Sequence, residues 1–291
     1  MSNALTTRIC SIVVAGVAAL RGAPAETGAP ETEALRVMTF NLRYASATGP
    51  NSWPERRPVM RDCIRAAAPD VIGTQEGLYA QLKELAADLP EYEWLGTGRD
   101  GGSRGEFMAI FYRKERFEPL AFDHFWLSDT PDVIGSASWG NTNKRMATWV
   151  LLKDRRTSRE LYVWNTHLDH AVQVAREKGA ALIRRRMEAL GTTLPIVLLG
   201  DFNATAGANK AYDTLIEGQF LTDAWKVAAQ RRGDVVKSFH NFRGPTPGDD
   251  RIDWILTRGQ VSIAAVEILT FNRGGQYPSD HFPIVADIVA K

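Results

Sequence analysis

The sequence predicts an α/β protein in which two sheets pack together and helices lie outside them. Three observations predict it: many short runs rich in β-branched and aromatic residues, few segments with helical spacing, and strands and helices mixed along the chain. The chain has 291 residues, 44% hydrophobic and 24% charged, so apolar material suffices for a sizeable core. No internal repeat and no long Pro/Gly/Ser-rich linker interrupts it, and one large domain is expected. A formal net charge of +1 gives bulk electrostatics no push toward nucleic acid, though a local basic patch stays open.

The N-terminus differs in kind. Arg8, an apolar run from Ile9 to Leu20, and Ala23 and Ala25 flanking Pro24 follow the order of a secretory signal with an A-x-A-like site. The run is short for a bilayer span, so residues 1–25 are expected to be a signal peptide and no stable membrane span is expected. A disordered tail is the alternative. Removal of residues 1–25 takes away Arg8 and Arg21 and no acid, bringing the net charge from +1 to −1. Cys10 would leave with the signal, and Cys63 alone forms no internal disulfide. Residues 26–35 then read as a solvated linker, and residues 36–291 as the folded domain of a secreted or periplasmic protein, expected as a monomer.

Strands are expected in order at "LRVMTFNL", "PDVIGTQE", "EFMAIFYR", "RMATWVLLKD", "RELYVWNTHLD", "LPIVLLGDFN", "RIDWILTR", "VSIAAVEIL" and "FPIVADIVA". "LLKDRRTSRELYVW" reads as a hairpin turning near Arg156 and Thr157. A helix is expected between Ala171 and Leu190, where Ala175, Gly179, Ile183, Met187 and Leu190 recur at helical spacing and Gly191 stands at the stop. Shorter helices are expected over Val59 to Ala68, Leu78 to Asp88 and Ala208 to Gly218.

Polar residues fall where these apolar runs end. "VMTFN" ends in Asn41, "VIGTQE" in Glu76, "VWNTHLD" in His167 and Asp169, "VLLGDFN" in Asp201 and Asn203; "RIDWIL" carries Asp253, and "YPSDHFPIV" carries Asp280 and His281. Singly, each has a bland reading. Asn or Asp at a strand end is a turn former or cap, His167 is a core histidine, and Asp253 pairs with nearby Arg251. Together they are metal-competent and proton-transferring groups where Ser, Thr or Gly would make turns as well. An oxygen-rich set without thiolates suits Mg²⁺ or Mn²⁺ and disfavours sulfur-type zinc. A phosphoester is the natural substrate, since a metal clamps a phosphoryl oxygen while a carboxylate positions water. The chain has no Walker loop, against nucleotide-driven chemistry.

The ordered set "TFNLR", "TQEG", "NTHLDH", "GDFNA", "RIDWIL" and "SDHFPI" resembles the endonuclease/exonuclease/phosphatase superfamily, over Arg36 to Ala290. The resemblance implies a four-layer α/β sandwich, with two mainly antiparallel sheets face to face and the site at one edge. It implies that Glu76, assisted by Asn41, holds Mg²⁺, with Asp280 as a second metal or water-positioning group. Asp201 would orient or deprotonate water, and Asn203 and His167 would contact the phosphate. His281, oriented by Asp253, would stabilise charge on phosphorus. Arg145 in "NKRMATW" is a weaker addition as a bidentate phosphate contact, with a surface salt bridge as its alternative, and Glu106 is weaker still.

Substrate choice is less determined. "GRDGGSRGE", Gly98 to Glu106, is expected to be a flexible specificity loop near the site. Trp126 and Trp139 read chiefly as core, with stacking on a base or sugar as the alternative. The leading expectation is a Mg²⁺-dependent hydrolase of a phosphomonoester or phosphodiester. A secreted nuclease acting on DNA or RNA and a noncatalytic phosphoester-binding protein stay open beside it.

Overall fold

The computed structural model describes residues 34–141 and 143–290, so the expected signal peptide and most of the linker lie outside the described residues. The elements run in order as β1 (Leu35–Asn41), α1 (Trp53–Ala67), β2 (Val71–Gln75), β3 (Gly77–Leu78), α2 (Tyr79–Asp88), β4 (Tyr92–Leu95), β5 (Glu106–Phe107), β6 (Ile110–Arg113) and β7 (Phe117–Trp126). They continue as β8 (Met146–Asp154), β9 (Glu160–His167), α3 (Gln173–Ala189), β10 (Ile196–Asp201), α4 (Lys210–Ile216), a 3₁₀ turn, β11 (Thr222–Asp223), α5 (Ala224–Val227), β12 (Gln230–Arg232), β13 (Asp253–Arg258), β14 (Val261–Ile268) and β15 (Ile284–Ala290).

Two large mixed sheets result. One has the order β12-β14-β15-β1-β2-β6-β4, the other β11-β13-β10-β9-β8-β7. Alternation along the strands explains the layering, because successive side chains face opposite ways. Val37, Val71, Val163, Val197, Leu199 and Ile255 pack between the sheets. Their neighbours Leu198, Trp164 and Trp254 face Ile183 and Met187 of α3, while Met38, Phe40 and Ile72 face Met60 and Ile64 of α1. The order helix, sheet, sheet, helix follows. Each fully buried aliphatic side chain contributes about 1.5–3 kcal/mol.

Register then sets the site. Parallel β1 and β2 align Asn41 with Gln75. Parallel β9 and β10 align His167 with Asp201, and antiparallel β13 sets Asp253 opposite Asp201. Because Val197, Leu199 and Asp201 alternate onto the inner face, Asp201 caps the core at its open end. Below it, the amide Nδ2 of buried Asn165 donates to the carbonyls of Thr74 and Ala109 at 2.8 and 2.9 Å, and Gln75 Nε2 donates to Asn165 Oδ1 at 2.7 Å.

Some expectations need correction. The first helix starts at Trp53 rather than Val59, with Pro at its opening, Glu55 in its first turn and Pro58 inside it. β7 was not expected as a strand because Pro119 interrupts its pattern. It is an edge strand, and a register irregularity between Pro119 and Ala121 absorbs the missing donor. The expected helix over Ala208 to Gly218 is shorter, capped by the Asn209 side chain and ended before Gly218 at φ 65°.

Candidate active site

Where the strands end, the backbone leaves ordinary conformations. Arg43, Glu76, Asn203, Asn241 and Phe242 all have positive φ, between 48° and 63°, and all lie around one cavity or its rim. Non-glycine residues adopt this conformation at a cost, and such positions gather at functional sites. The cavity measures about 370 Å³ and is lined by Glu76, Arg145, His167, Asp201, Asn203, Asp280 and His281. Asn41 and Asp253 stand directly behind this lining. The candidate catalytic, metal and phosphate-binding residues taken from the sequence are thus brought to one place, while Asp169 accepts from the N–H groups of Ala171 and Val172.

Asn41 joins the two sheets: its Nδ2 donates to Glu76 Oε1 at 3.1 Å and to Asp201 Oδ2 at 2.9 Å. The Tyr44 N–H donates to Glu76 Oε2 at 3.2 Å, and Arg43 lies 3.9 Å from Glu76 and 3.7 Å from Asp280. The Asn203 N–H donates to Asp201 Oδ1 at 2.9 Å, closing a turn that aims its amide at Leu168 O and His167 Nε2, 3.1 and 2.9 Å away. His281 Nδ1 donates to Asp253 Oδ2 at 3.0 Å, and its Nε2 lies 3.8 Å from Asp201 Oδ2. Arg251 engages Asp223 and Asp249, so the simple pairing of Asp253 with Arg251 is not what forms.

Burial sets these groups apart electrostatically. Asp201 is pushed up to about 7, first by burial and then by the charge of Asp253. Burial alone would lower His281, but Asp253 and then Asp201 raise it to about 10, so the ring is an imidazolium at neutral pH. His167 is held well below its usual range by burial, with Arg145 next, and stays neutral. Arg145 is lowered by burial, and Asp280 is raised by it.

Arg145 is no surface residue. It is 4% exposed, its Nη2 meets His170 Nδ1 at 3.2 Å, its Nε lies 4.0 Å from Asp169 Oδ2, and Nε and Nη1 make no hydrogen bond among the described residues. A buried guanidinium with unmet donors facing a cavity is suited to an anion. Glu106 also lines the cavity and pairs with Arg99 at 2.7 Å. The segment Gly98 to Glu106 does reach the cavity, though as a hydrogen-bonded hairpin in which the Arg99 N–H donates to Glu106 O. Trp126 belongs to a buried cluster with Met108 and Met146, and Trp139 packs on the outer core, so both tryptophans serve packing. Sequence reasoning missed Tyr44, Asn143, His170, Phe239 and Asn241, which line the cavity. Tyr44 adjoins "TFNLR", while His170 and Asn143 lie inside "NTHLDH" and "NKRMATW"; nothing in the sequence marks Phe239 and Asn241.

One atom each of Glu76, His167 and Asp201 lies within 4.8 Å of the others, as do atoms of Asp201, Asp253 and His281. The second set is internally satisfied by the His281–Asp253 hydrogen bond. The first, with two carboxylates open to the cavity, fits a divalent cation.

The family model for the Endonuclease/Exonuclease/phosphatase family matches residues 38–281. No curated protein matches the chain. A family protein from Bacteroides vulgatus shares 36% identity over 89% of this chain and 99% of its own, with a TM-score of 0.83. A mannosyl-6-phosphatase from Bacteroides thetaiotaomicron shares 33% over 88% and 99%, also at 0.83. The human Nocturnin catalytic domain shares the fold, at 20% identity over 89% and 94% with a TM-score of 0.69. The chain belongs to the endonuclease/exonuclease/phosphatase family and is a phosphoester hydrolase.

Proposed function

We propose that this chain is a Mg²⁺-dependent phosphomonoesterase that removes phosphate from a small phosphorylated sugar by in-line attack of water. The observation that carries the reading is the single cavity of about 370 Å³ in which Asp201, His281 and Arg145 converge from different elements. Its size suits one sugar phosphate, and its similarity to a mannosyl-6-phosphatase at 33% identity supports the same class.

The residues divide the work by their electrostatics. Asp201, poised at about 7, takes the proton of the attacking water. The imidazolium of His281, held by Asp253, donates Nε2–H toward charge developing on phosphoryl oxygen. Neutral His167 and the Asn203 amide add dipolar contacts without a competing charge, and Arg145 supplies two further donors to the phosphate. Glu76, supported by Asn41, would hold Mg²⁺, and Asp280 would position water beside it. The cation would act as a Lewis acid on a nonbridging oxygen.

The test is phosphate release from a panel containing Mg²⁺: hexose 6-phosphates, nucleoside monophosphates, inositol phosphates, single-stranded DNA and RNA. Turnover of hexose phosphates above the rest is expected. Preferential cleavage of the polynucleotides would overturn the reading in favour of a nuclease. Glu76→Gln is expected to fold normally and to raise the Mg²⁺ concentration needed for half-maximal rate, because an amide is a poorer ligand for a hard dication; an unchanged Mg²⁺ requirement would remove Glu76 as the ligand.

A further inference from the structure

The loop "SFHNFR", residues 238–243, carries no candidate residue from the sequence, yet it forms one wall of the cavity. It is pinned from both sides. The N–H groups of His240 and Asn241 donate to the Asp280 carbonyl at 2.9 and 3.0 Å, and the Phe282 N–H donates to Ser238 O at 2.8 Å. The His240 ring turns inward, stacking on Phe282 at 3.8 Å with planes 9° apart and meeting Tyr277 edge-on at 4.8 Å. Asn241 and Phe242 follow at φ 49° and 58°, consecutive non-glycine residues in the left-handed region.

With His240 turned in, Phe239 turns out. Its ring is 42% exposed, lines the cavity, and lies 5.0 Å from the His281 ring at 56°. Asn241 lines the same space. The loop is therefore fixed to the same short segment that carries His281, so the distance from phosphate to aromatic face is set by backbone hydrogen bonds.

We propose that Phe239 is the platform on which the sugar ring of the substrate lies, with Asn241 donating to or accepting from its hydroxyls, so that this loop selects the leaving group. The proposal rests on the phosphorylated-sugar reading above and names the residues that enforce it. A pyranose has one apolar C–H face and a rim of hydroxyls. The exposed face of Phe239 amid Arg43, Arg99, Glu106 and Asn143 matches that pattern, while Tyr44, the other exposed aromatic lining the cavity, has the Arg43 guanidinium over its ring at 4.3 Å. A strand of nucleic acid would instead stack successive bases on several platforms along a basic groove.

The experiment compares wild type, Phe239→Ala, Phe239→Tyr and Asn241→Ala on mannose 6-phosphate, ethyl phosphate and adenosine 5′-monophosphate, with thermal unfolding as a control. For Phe239→Ala, kcat/KM on mannose 6-phosphate should fall about tenfold further than on ethyl phosphate, and Phe239→Tyr should restore it. Equal losses on both substrates would reduce Phe239 to a support for His281 and overturn the proposal, as would a loss confined to the nucleotide. Saturation-transfer NMR gives a readout without turnover. Mannose 6-phosphate ring protons should receive saturation in the wild type and lose most of it in Phe239→Ala; equal transfer in both would overturn the platform. Failure of the hydrolase reading itself is distinguishable, since the wild type would then release phosphate from none of the sugar phosphates whatever the NMR shows.

Discussion

Asp201 and His281 are an acid and a base whose surroundings raise both above their usual ranges. Burial and Asp253 raise the carboxyl to about 7, while Asp253 and Asp201 together outweigh burial and lift the imidazole to about 10. The proposed base must be deprotonated, so kcat/KM should rise with pH through about 7. The proposed donor must be protonated, so the rate should fall again above about 10. A bell-shaped profile between these limits is the expected result, its limbs belonging to the interacting pair. The acidic limb should move to lower pH as Mg²⁺ is raised, because a dication at Glu76, within 4.8 Å of Asp201, favours the Asp201 carboxylate over its acid. A profile flat from pH 5 to 9 would contradict the role of Asp201, and one that does not fall above about 10 would contradict that of His281. The pair of Asp253 and His281 is tested by a double-mutant cycle. His281→Ala should cost about 2–4 kcal/mol of transition-state stabilisation, the range for an aimed donor to developing charge. Asp253→Asn should cost a similar amount, and the double mutant little more than His281→Ala alone, since the two act as a unit. Additive losses in kcat/KM would reject the dyad.

Strand register, more than any one side chain, keeps the two halves of the site apart by a fixed distance. Asn41 and Glu76 come from the ends of β1 and β2, His167 and Asp201 from the ends of β9 and β10, and Asn165 ties the two sheets one layer below. Asn165→Ala would remove three buried inter-sheet hydrogen bonds, although Ala109 O keeps the Thr74 N–H and the Gln75 amide keeps the Gly73 carbonyl. A loss on the order of 3 kcal/mol is expected, read as a lower denaturant midpoint at unchanged m-value. Gly73→Ala should also destabilise, because its Cβ would lie 2.9 Å from both Asn165 Oδ1 and Leu199 Cβ, where neither sheet can yield locally. The strands feeding the site were legible in sequence since each is an apolar run ending in a carboxylate, carboxamide or imidazole. β7 was not, because an exposed edge strand tolerates Pro119 and a polar outer face. The loop of Phe239 was not either. Its position depends on backbone hydrogen bonds to Asp280 and on positive φ at Asn241 and Phe242, and neither residue type announces that conformation as glycine would.

Across the whole chain, 35 basic and 34 acidic side chains nearly cancel, and this balance bears on what reaches the cavity. Among the described residues no helix is long and apolar enough to cross a membrane. The apolar run of Ile9 to Leu20 belongs to the proposed export signal. Expression with the native N-terminus in a secreting host should give a mature protein beginning near Glu26, as read by N-terminal sequencing; an intact Met1 on the exported protein would count against cleavage. Its charge would then be slightly negative, since the removed segment holds Arg8 and Arg21 and no acid. A protein of that balance lacks the long-range field that concentrates a polyanion, and its arginines near the cavity are partly spent within it, as Arg99 is on Glu106. Salt dependence separates the cases. A protein that neutralises several phosphates of a polynucleotide loses about 10³–10⁵ in affinity between 50 and 200 mM salt, whereas a single small phosphoester held by short-range donors in a partly enclosed cavity is screened far less. On mannose 6-phosphate, kcat/KM should therefore change by no more than about threefold over that interval. A fall of several orders of magnitude would show that an extended basic surface, rather than the cavity of Asp201, His281 and Arg145, is what the substrate engages.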